Sequence, residues 1–489
     1  MENSFSIPTP VSLISGTLEN AGFEAYLVGG CVRDLFLGKI PKDWDVTTNA
    51  NPDQIIALFP KTFYENDYGT VGVVNEGEED ERLKIIEVTP YRTEGAYTDS
   101  RRPDFVSFDA TLEDDLKRRD FTINAIAFSI SKNDVVDTFF GRVDLQKGLI
   151  RTVGSPKERF EEDALRILRA IRIHSELGFT IDPETKEGIK STAHLLEKIA
   201  RERIRDEFIR MLMSKNPMEA MLVAHDLDVL KYIASQLEDA VGIEQNQAHA
   251  FDVWTHLIKS LQHAADKDWP LHIRLAALFH DISKPETRRK SKTGEWTFYG
   301  HEVVGARRTK QILENLRFSR EITDTVVKLV RWHMFFSDTE QITLSAVRRM
   351  IANVGKDNVW DLMNLRMCDR IGTGRPKEDP YRLRKYKSMI EEVMHDPVSV
   401  GMLALHGQDI MEVCKISAGP RIGAILHALL QDVLENPELN TKEELSKKAI
   451  ELASFSDEEL KLRGDSGKEK REEEEAKILK KIRGKYKVQ

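Results

Sequence analysis

The chain changes character near Ser155, and that change limits the folds open to it. Up to about residue 150, short runs such as TVGVVN (70–75), RLKIIEV (82–88) and NAIAFSI (124–130) lie between acidic or glycine-containing stretches and read as strands. From Ser155 onward, Leu, Ile, Ala, Arg and Glu recur at helical spacing to the end of the chain. The pattern predicts an α+β chain, with a small mixed β-sheet head followed by all-α domains. At 489 residues, a prior of roughly 150 residues per domain gives about three domains. PKEDP (376–380) and Asp396-Pro397 mark a second boundary. The stretch beyond Ser456 is dense in charge and poor in apolar residues, and reads as a solvated helix or a disordered tail.

Composition excludes some classes. No run of apolar residues is long enough to predict a transmembrane helix, and MENSFSIPTP lacks the basic and apolar regions of a secretory signal. Cys31, Cys368 and Cys414 are scattered, with no CxxC spacing, which fits a reducing cytoplasm. The net charge of −9 does not favour nucleic acid, although binding depends on where basic residues cluster.

YLVGGCVRDLFLGKIPKDWDVTTNA (26–50) carries the densest chemistry. VTTNA is rich in β-branched residues and predicts a strand from Trp44 to Thr48, and strand alternation would then put Asp43 and Asp45 on one face. Two carboxylates so close repel unless a cation lies between them, and such oxygen ligands suit Mg²⁺ with substrate phosphates. Gly29 and Gly30 can bring backbone N–H groups up to a phosphate, and Arg33 can pair with its oxygens. In KIIEVTPYR, Glu87 interrupts an apolar strand on the Ile85 face. It is a third metal carboxylate or an edge-strand residue facing water.

DDLKRRDFTINAIAF (114–128) adds Arg118, Arg119 and Asp120. Beside a DxD metal site, Arg119 supplies a triphosphate clamp and Asp120 an acceptor for a ribose hydroxyl. The intervening segment 90–108 predicts a mobile loop in which Arg92, Asp99, Arg101 and Arg102 can reach substrate. SPKERFEEDALRILRAIRI (155–173) predicts one helix, started at Ser155-Pro156 with Glu158 at the capping-box position and buried along Leu165, Leu168 and Ile171. On it, Asp163 and Arg166 would place an acceptor beside a donor. Cytosine and adenine each offer an amino donor and a ring-nitrogen acceptor that match this pair, whereas guanine and uracil are mismatched, at a cost of about 1–3 kcal/mol per unpaired group. The plain alternative is a helix carrying i,i+3 salt bridges.

GGCVRD, KDWDVTT, DLKRRDFTINAIAF and EDALRILRAIR, in that order, resemble bacterial class II CCA-adding enzymes, the tRNA nucleotidyltransferases of the poly(A) polymerase-like superfamily. The likeness is strong over about residues 20–215. It implies a nucleotidyltransferase head (1–150), a helical neck with a nucleotide-selecting helix (151–240), an HD-type helical domain (241–390), a helical tRNA-binding tail (391–455) and a charged C-terminal segment (456–489). It implies Mg²⁺ on Asp43 and Asp45, with Glu87 as a third candidate ligand. It further implies nucleotide contacts from Gly29, Gly30, Arg33, Arg119, Asp120 and Asn124, and base selection by Asp163 and Arg166 with Arg169 and Arg172 nearby. The loop of Arg92, Asp99, Arg101 and Arg102 resembles the family's flexible loop. The implied partners are CTP, ATP and the tRNA 3′ end.

A second constellation follows. His256, His280, Asp281, His301, His333 and Asp369 are spread over helical segments, and His280-Asp281 resembles the HD domain of metal-dependent phosphohydrolases. Such His–carboxylate sets suit Mn²⁺, Ni²⁺, Co²⁺ or Fe²⁺. His225-Asp226 lacks companion histidines at similar spacing. In the tail, Gly419-Pro420 opens a helix whose N-terminus, with Arg421, offers a phosphate site. The readings left open are CCA addition, an A-adding or CC-adding specialist, a poly(A) polymerase, a phosphohydrolase and an RNA-binding scaffold.

Overall fold

The computed structural model describes residues 5–64, 69–94, 106–245, 250–335, 342–395 and 400–488. Asp99, Arg101 and Arg102 lie outside the described residues. The chain forms two compact units, Met1–His333 with Asn364–Pro376, and Met334–Met363 with Lys377–Gln489.

The first unit begins with a mixed seven-stranded sheet. Its strands are β1 (Ala25–Val28), β2 (Asp45–Thr48), β3 (Thr62–Tyr64), β4 (Val71–Val74), β5 (Ile85–Pro90), β6 (Ala127–Ser129) and β7 (Asp134–Val136), in the order β3-β4-β5-β2-β1-β6-β7. β2 pairs antiparallel with β1 and parallel with β5. Alternation along β5 buries Ile86 and Val88 and turns Ile85 and Glu87 to the other face. β5 lies between β4 and β2, so the edge-strand reading of Glu87 is wrong. The strand at DVTT begins at Asp45, and Asp43 sits in the bend before it. A loop, not strand alternation, therefore places Asp43.

Helix α1 (Gly30–Phe36) follows β1 directly, and α2 (Leu112–Lys117) starts at a Thr111–Asp114 capping box. The helix expected over 155–173 is two helices, α3 (Pro156–Glu162) and α4 (Leu165–Leu177). At the break Asp163 is extended, with φ −138° and ψ 103°. Its carboxylate accepts the Leu165 N–H at 3.0 Å, so it starts the second helix instead of continuing the first. The Ser155 side chain makes no capping hydrogen bond. Leu165, Leu168 and Ile171 are buried, and α4 packs on α5 (Arg201–Leu212).

The helical body of this unit uses α6 (Val253–Asp266), α7 (Leu271–Phe279), α8 (His301–Asn315), α9 (Arg320–Trp332) and the later part of α10 (Val359–Gly372). In the second unit, α11 (Pro420–Glu435), α12 (Lys442–Ala453) and α13 (Asp457–Lys485) bury Leu405, Ile425, Leu429, Leu445 and Leu460. The charged C-terminal stretch is thus a helix. Arg421 is occupied within this unit by the Ala453 and Phe455 carbonyls at 3.0 and 2.6 Å and by Asp457. It ties the α12–α13 turn to α11, where the sequence suggested a phosphate contact. Among the described residues, no helix is long and apolar enough to cross a membrane.

Candidate active site

Parallel pairing sets Asp45 directly beside Glu87, on the face of the sheet opposite the buried Ile86 and Val88. Burial, reinforced by the Glu87 and Asp43 charges, pushes the Asp45 carboxyl up to about 7, against the opposing pull of Arg119 and Arg169. Gly29, at φ +80°, lies next to this pair. A Cβ there would fall 3.2 Å from Arg119 Nη1 and 3.3 Å from Asp45 Oδ2, in a backbone conformation that disfavours any side chain. Glycine therefore keeps open a cradle with an arginine on one wall and a carboxylate on the other. A crowded carboxylate set beside an open, cation-lined space fits a hard divalent ion that brings phosphate ligands with it.

Arg33 is held edge-on by Asp34 and donates through Nη1 to Asn124 Oδ1 at 3.0 Å. Asn124 donates to Asp120 Oδ1 at 3.2 Å. Asp120 also receives the Phe121 N–H at 2.8 Å and Arg169 through Nε and Nη2 at 2.7 and 2.6 Å. Burial resists ionisation of Asp120, but Arg169 and Asn124 outweigh it and hold the carboxyl below the usual range. Four donors use the acceptor capacity of its two oxygens, so Asp120 is a hub joining head to neck, an arrangement that argues against the expected ribose contact.

The base-selecting candidates are fixed separately. Asp163 receives Arg203 Nη2 from α5 at 3.0 Å. Arg166 is bound by Glu162 at 2.6 Å, by the Arg159 carbonyl at 3.1 Å and by the Arg118 carbonyl at 3.0 Å. Arg172 faces elsewhere: it is locked to Glu207 and Glu176 at 2.6 and 2.8 Å, inside the α4–α5 packing. The reason is helical geometry, since each third residue turns back about 60° and two such steps carry Arg172 off the Arg166 face. Arg92 is described just after β5.

The second constellation assembles completely. Its six side chains are all buried and fall into two groups, His256–His280–Asp369 and Asp281–His301–His333. His280, His301 and His333 each turn Nδ1 to the carbonyl three residues earlier, those of Ala277, Phe298 and Val330, at 2.9, 2.6 and 2.7 Å. A carbonyl only accepts, so Nδ1 carries the proton and Nε2 keeps its lone pair. The Nε2 atoms converge: His280 Nε2 lies 2.8 Å from His256 Nε2, and those of His301 and His333 are 3.3 Å apart. Asp281 bridges the groups, its oxygens 3.1 Å from both His256 and His301. Buried Asp281 Oδ1 makes no hydrogen bond. Acceptors crowded around an unsatisfied carboxylate oxygen fit one or two metal ions. His225 instead pairs with Glu238 at 2.6 Å.

Sequence reading missed Arg203 as the partner of Asp163, and no local signal could have joined α3 to α5. It also missed Asp115, which binds Arg118 and Arg119 at 2.5 and 3.0 Å. Its position three and four residues before them was the available signal.

A two-carboxylate sheet site with an arginine-lined phosphate cradle, followed by a helical body with a six-residue HD constellation, defines a nucleotidyltransferase head joined to an HD-type domain. The family models match in that order: a poly A polymerase head domain over 25–151, a probable RNA and SrmB-binding site of polymerase A over 178–241, and an HD domain over 248–355. The CCA-adding enzyme of Lactiplantibacillus plantarum is 32% identical over 422 residues, covering 86% of this chain and 90% of that protein. The chain belongs to the CCA-adding enzyme family. The Bacillus stearothermophilus CCA-adding enzyme in complex with CTP superposes with a TM-score of 0.60 at 28% identity, over 91% of this chain and 98% of that one. The Thermotoga maritima CCA-adding enzyme complexed with tRNA shares the fold at 19% identity and a TM-score of 0.52, over 92% and 96% of the two chains.

Proposed function

We propose that this protein is a cytoplasmic, template-independent tRNA nucleotidyltransferase that adds or repairs the 3′-terminal CCA from CTP and ATP, releasing pyrophosphate. The observation that carries this reading is the Asp45–Glu87 pair beside the Gly29–Arg119 cradle. Asp43 and Asp45, with Glu87 as a third ligand, hold Mg²⁺, which supplies activation of the tRNA 3′-hydroxyl and charge compensation at the phosphates. Arg119 clamps the triphosphate, and Arg33, fixed by Asp34 and Asn124, reaches the same space. Asp163 and Arg166 read the amino group and ring nitrogen of cytosine or adenine, each steadied by its own partner. In this reading residues 1–150 are the catalytic head, 151–240 the selecting neck, 241–390 the HD domain, 391–455 the tRNA-binding tail and 456–489 a charged terminal helix.

The test uses three tRNA transcripts, ending before CCA, after C and after CC, each with Mg²⁺ and CTP, ATP or both. Ordered addition of C, C and A, stopping at A, is the expected result. Addition of A only to the CC-ended transcript would mark an A-adding specialist, and long A tails a poly(A) polymerase.

A second activity is supported by the convergent His256, His280, Asp281, His301, His333 and Asp369 set. It is a phosphohydrolase site for Mn²⁺, Ni²⁺, Co²⁺ or Fe²⁺. Hydrolysis of a generic phosphodiester by metal-loaded protein, lost in His280→Ala, tests it.

A further inference from the structure

Asp115 is the most deeply buried acid among the described residues of the head, 0% exposed. It sits on α2 and faces β2. Arg118 donates to its Oδ1 through Nε and Nη2 at 2.9 and 2.5 Å. Its Oδ2 takes Arg119 Nη2 at 3.0 Å and the Thr47 hydroxyl at 3.3 Å. Burial works against its charge, and the two guanidinium groups outweigh burial and keep the carboxyl below its ordinary range.

A charge is buried in this way only where its partners compensate it. The arrangement does more than compensate. Arg119 spends its Nη2 edge on Asp115, which leaves the Nη1 edge at the Gly29 cradle, 3.2 Å from where a Cβ would stand. A planar guanidinium tied along one edge has its other edge aimed. Arg118, held by the same carboxylate, carries the main-chain carbonyl that receives Arg166 Nη2. Thr47 is the next residue but one after Asp45, and its hydroxyl shares its single proton between Asp115 and the Thr89 carbonyl 3.1 Å away, which ties the anchor to the sheet.

We propose that Asp115 is a positioning residue for the nucleotide triphosphate: from beneath the site it aims the Nη1 edge of Arg119 into the cradle beside Asp45. The proposal rests on the head being a nucleotide-binding site, and it specifies which part of the nucleotide the buried acid controls. It acts on the phosphates and not on the base.

Equilibrium binding of Mg·CTP and of CMP to the full-length protein tests this, with Asp115→Asn, Asp115→Glu, Arg119→Ala and the double variant D115N/R119A. Asp115→Asn should weaken CTP about tenfold and CMP less than about twofold. In the Arg119→Ala background, Asp115→Asn should cost less than about twofold more, because the aimed edge is already gone. Asp115→Glu keeps the charge but lengthens the arm, and should weaken CTP about threefold or more at an unchanged melting temperature. It carries the test if Asp115→Asn fails to fold. Wild-type CTP affinity in Asp115→Glu, equal losses for CTP and CMP, or additive losses in the double variant would each overturn the proposal. Extension of tRNA by the wild type is scored separately. Tight CTP binding without extension would sink the assigned reaction while binding alone still judges Asp115.

Discussion

The two sites of the first unit are built on opposite plans. In the body, four histidines and two aspartates come from helix ends and faces, are all buried, and form two complete ligand groups. Three of the imidazoles are oriented by carbonyls three residues earlier in the chain. In the head, Asp43 is exposed in a bend, Asp45 is half-buried, and Glu87 comes from the neighbouring strand. Among the described residues these three do not converge into such a group. The body holds a site that protein ligands complete. The head holds a partial one, which in the proposed reading a metal–phosphate complex completes. This difference suits their proposed partners: Mg²⁺ keeps places for substrate phosphates, while imidazole-rich sets hold transition metals directly.

The sharpest way to break this comparison is to remove one acid from each site. Asp45→Ala should lower nucleotide addition about a thousandfold, comparable to or beyond the loss of one strong transition-state contact. It should leave the transition-metal content of the purified protein, measured by elemental analysis, unchanged. Full nucleotide addition by this variant would remove the metal assignment of the head. Asp281→Ala is the converse. It takes away the bridge between the two body groups. Metal content should fall, and the thermal stabilisation that added metal gives the wild type, about 2–4 kcal/mol near saturation, should disappear. CCA addition should stay within about twofold, since the two sites share no ligand. A large loss of addition would mean that the body's metal site supports the head.

How far the sequence exposed each site follows from the same difference. The six body residues were legible because His280-Asp281 resembles the HD motif and the other four lie in order over helical segments, and all six meet. The DxD pair, Glu87 and the RRD element were legible as residue types, and the strand pattern put Glu87 on the correct face. What failed was local geometry that depends on distant partners. Asp163 was read on a continuous helix, but its carboxylate caps the next helix and receives Arg203 from 40 residues away. Asp120 was read as a ribose acceptor, but Arg169 and Asn124 saturate it. Arg172 shares a three-residue repeat with Arg166, and helical rotation takes it to Glu207. Motifs mark which groups a site needs. Only tertiary contacts decide which groups touch substrate and which hold the others.

Asp120→Asn sharpens this point at an intermediate scale. The change keeps the volume and removes the charge that binds Arg169 and steadies Asn124 and, through it, Arg33. Loss of a buried charged hydrogen-bond network of this kind should lower kcat/KM for CTP and ATP about ten- to a hundredfold. If Asp120 is a hub, both nucleotides lose by the same factor, and 2′-deoxynucleotides lose by that factor too. A smaller loss for the 2′-deoxynucleotides would restore the ribose contact that its saturated oxygens argue against.

Arg203→Ala should give the smallest effect, and it separates the two plans most finely. Every imidazole of the body whose Nδ1 partner is named above is oriented from within three residues of its own chain position. The proposed base-reading acid of the neck, Asp163, depends on Arg203 of α5, a helix much later in sequence. Arg203 meets Asp163 at 3.0 Å with about a third of its side chain exposed, 32%. An ion pair that is partly in water contributes about 0.2–1 kcal/mol, so the fold should survive its loss with little change in melting temperature. Asp163 would keep its bond from the Leu165 N–H but lose the contact that fixes its second oxygen. Misplacing an acceptor that must face an amino group costs discrimination more than rate. The ratio of CTP to UTP incorporation should fall about tenfold while CTP turnover falls only a few-fold. An unchanged ratio would mean that the Leu165 N–H alone orients Asp163. The neck would then, like the body, orient its recognition group locally, and the contrast between the sites would narrow to the completeness of their metal ligands.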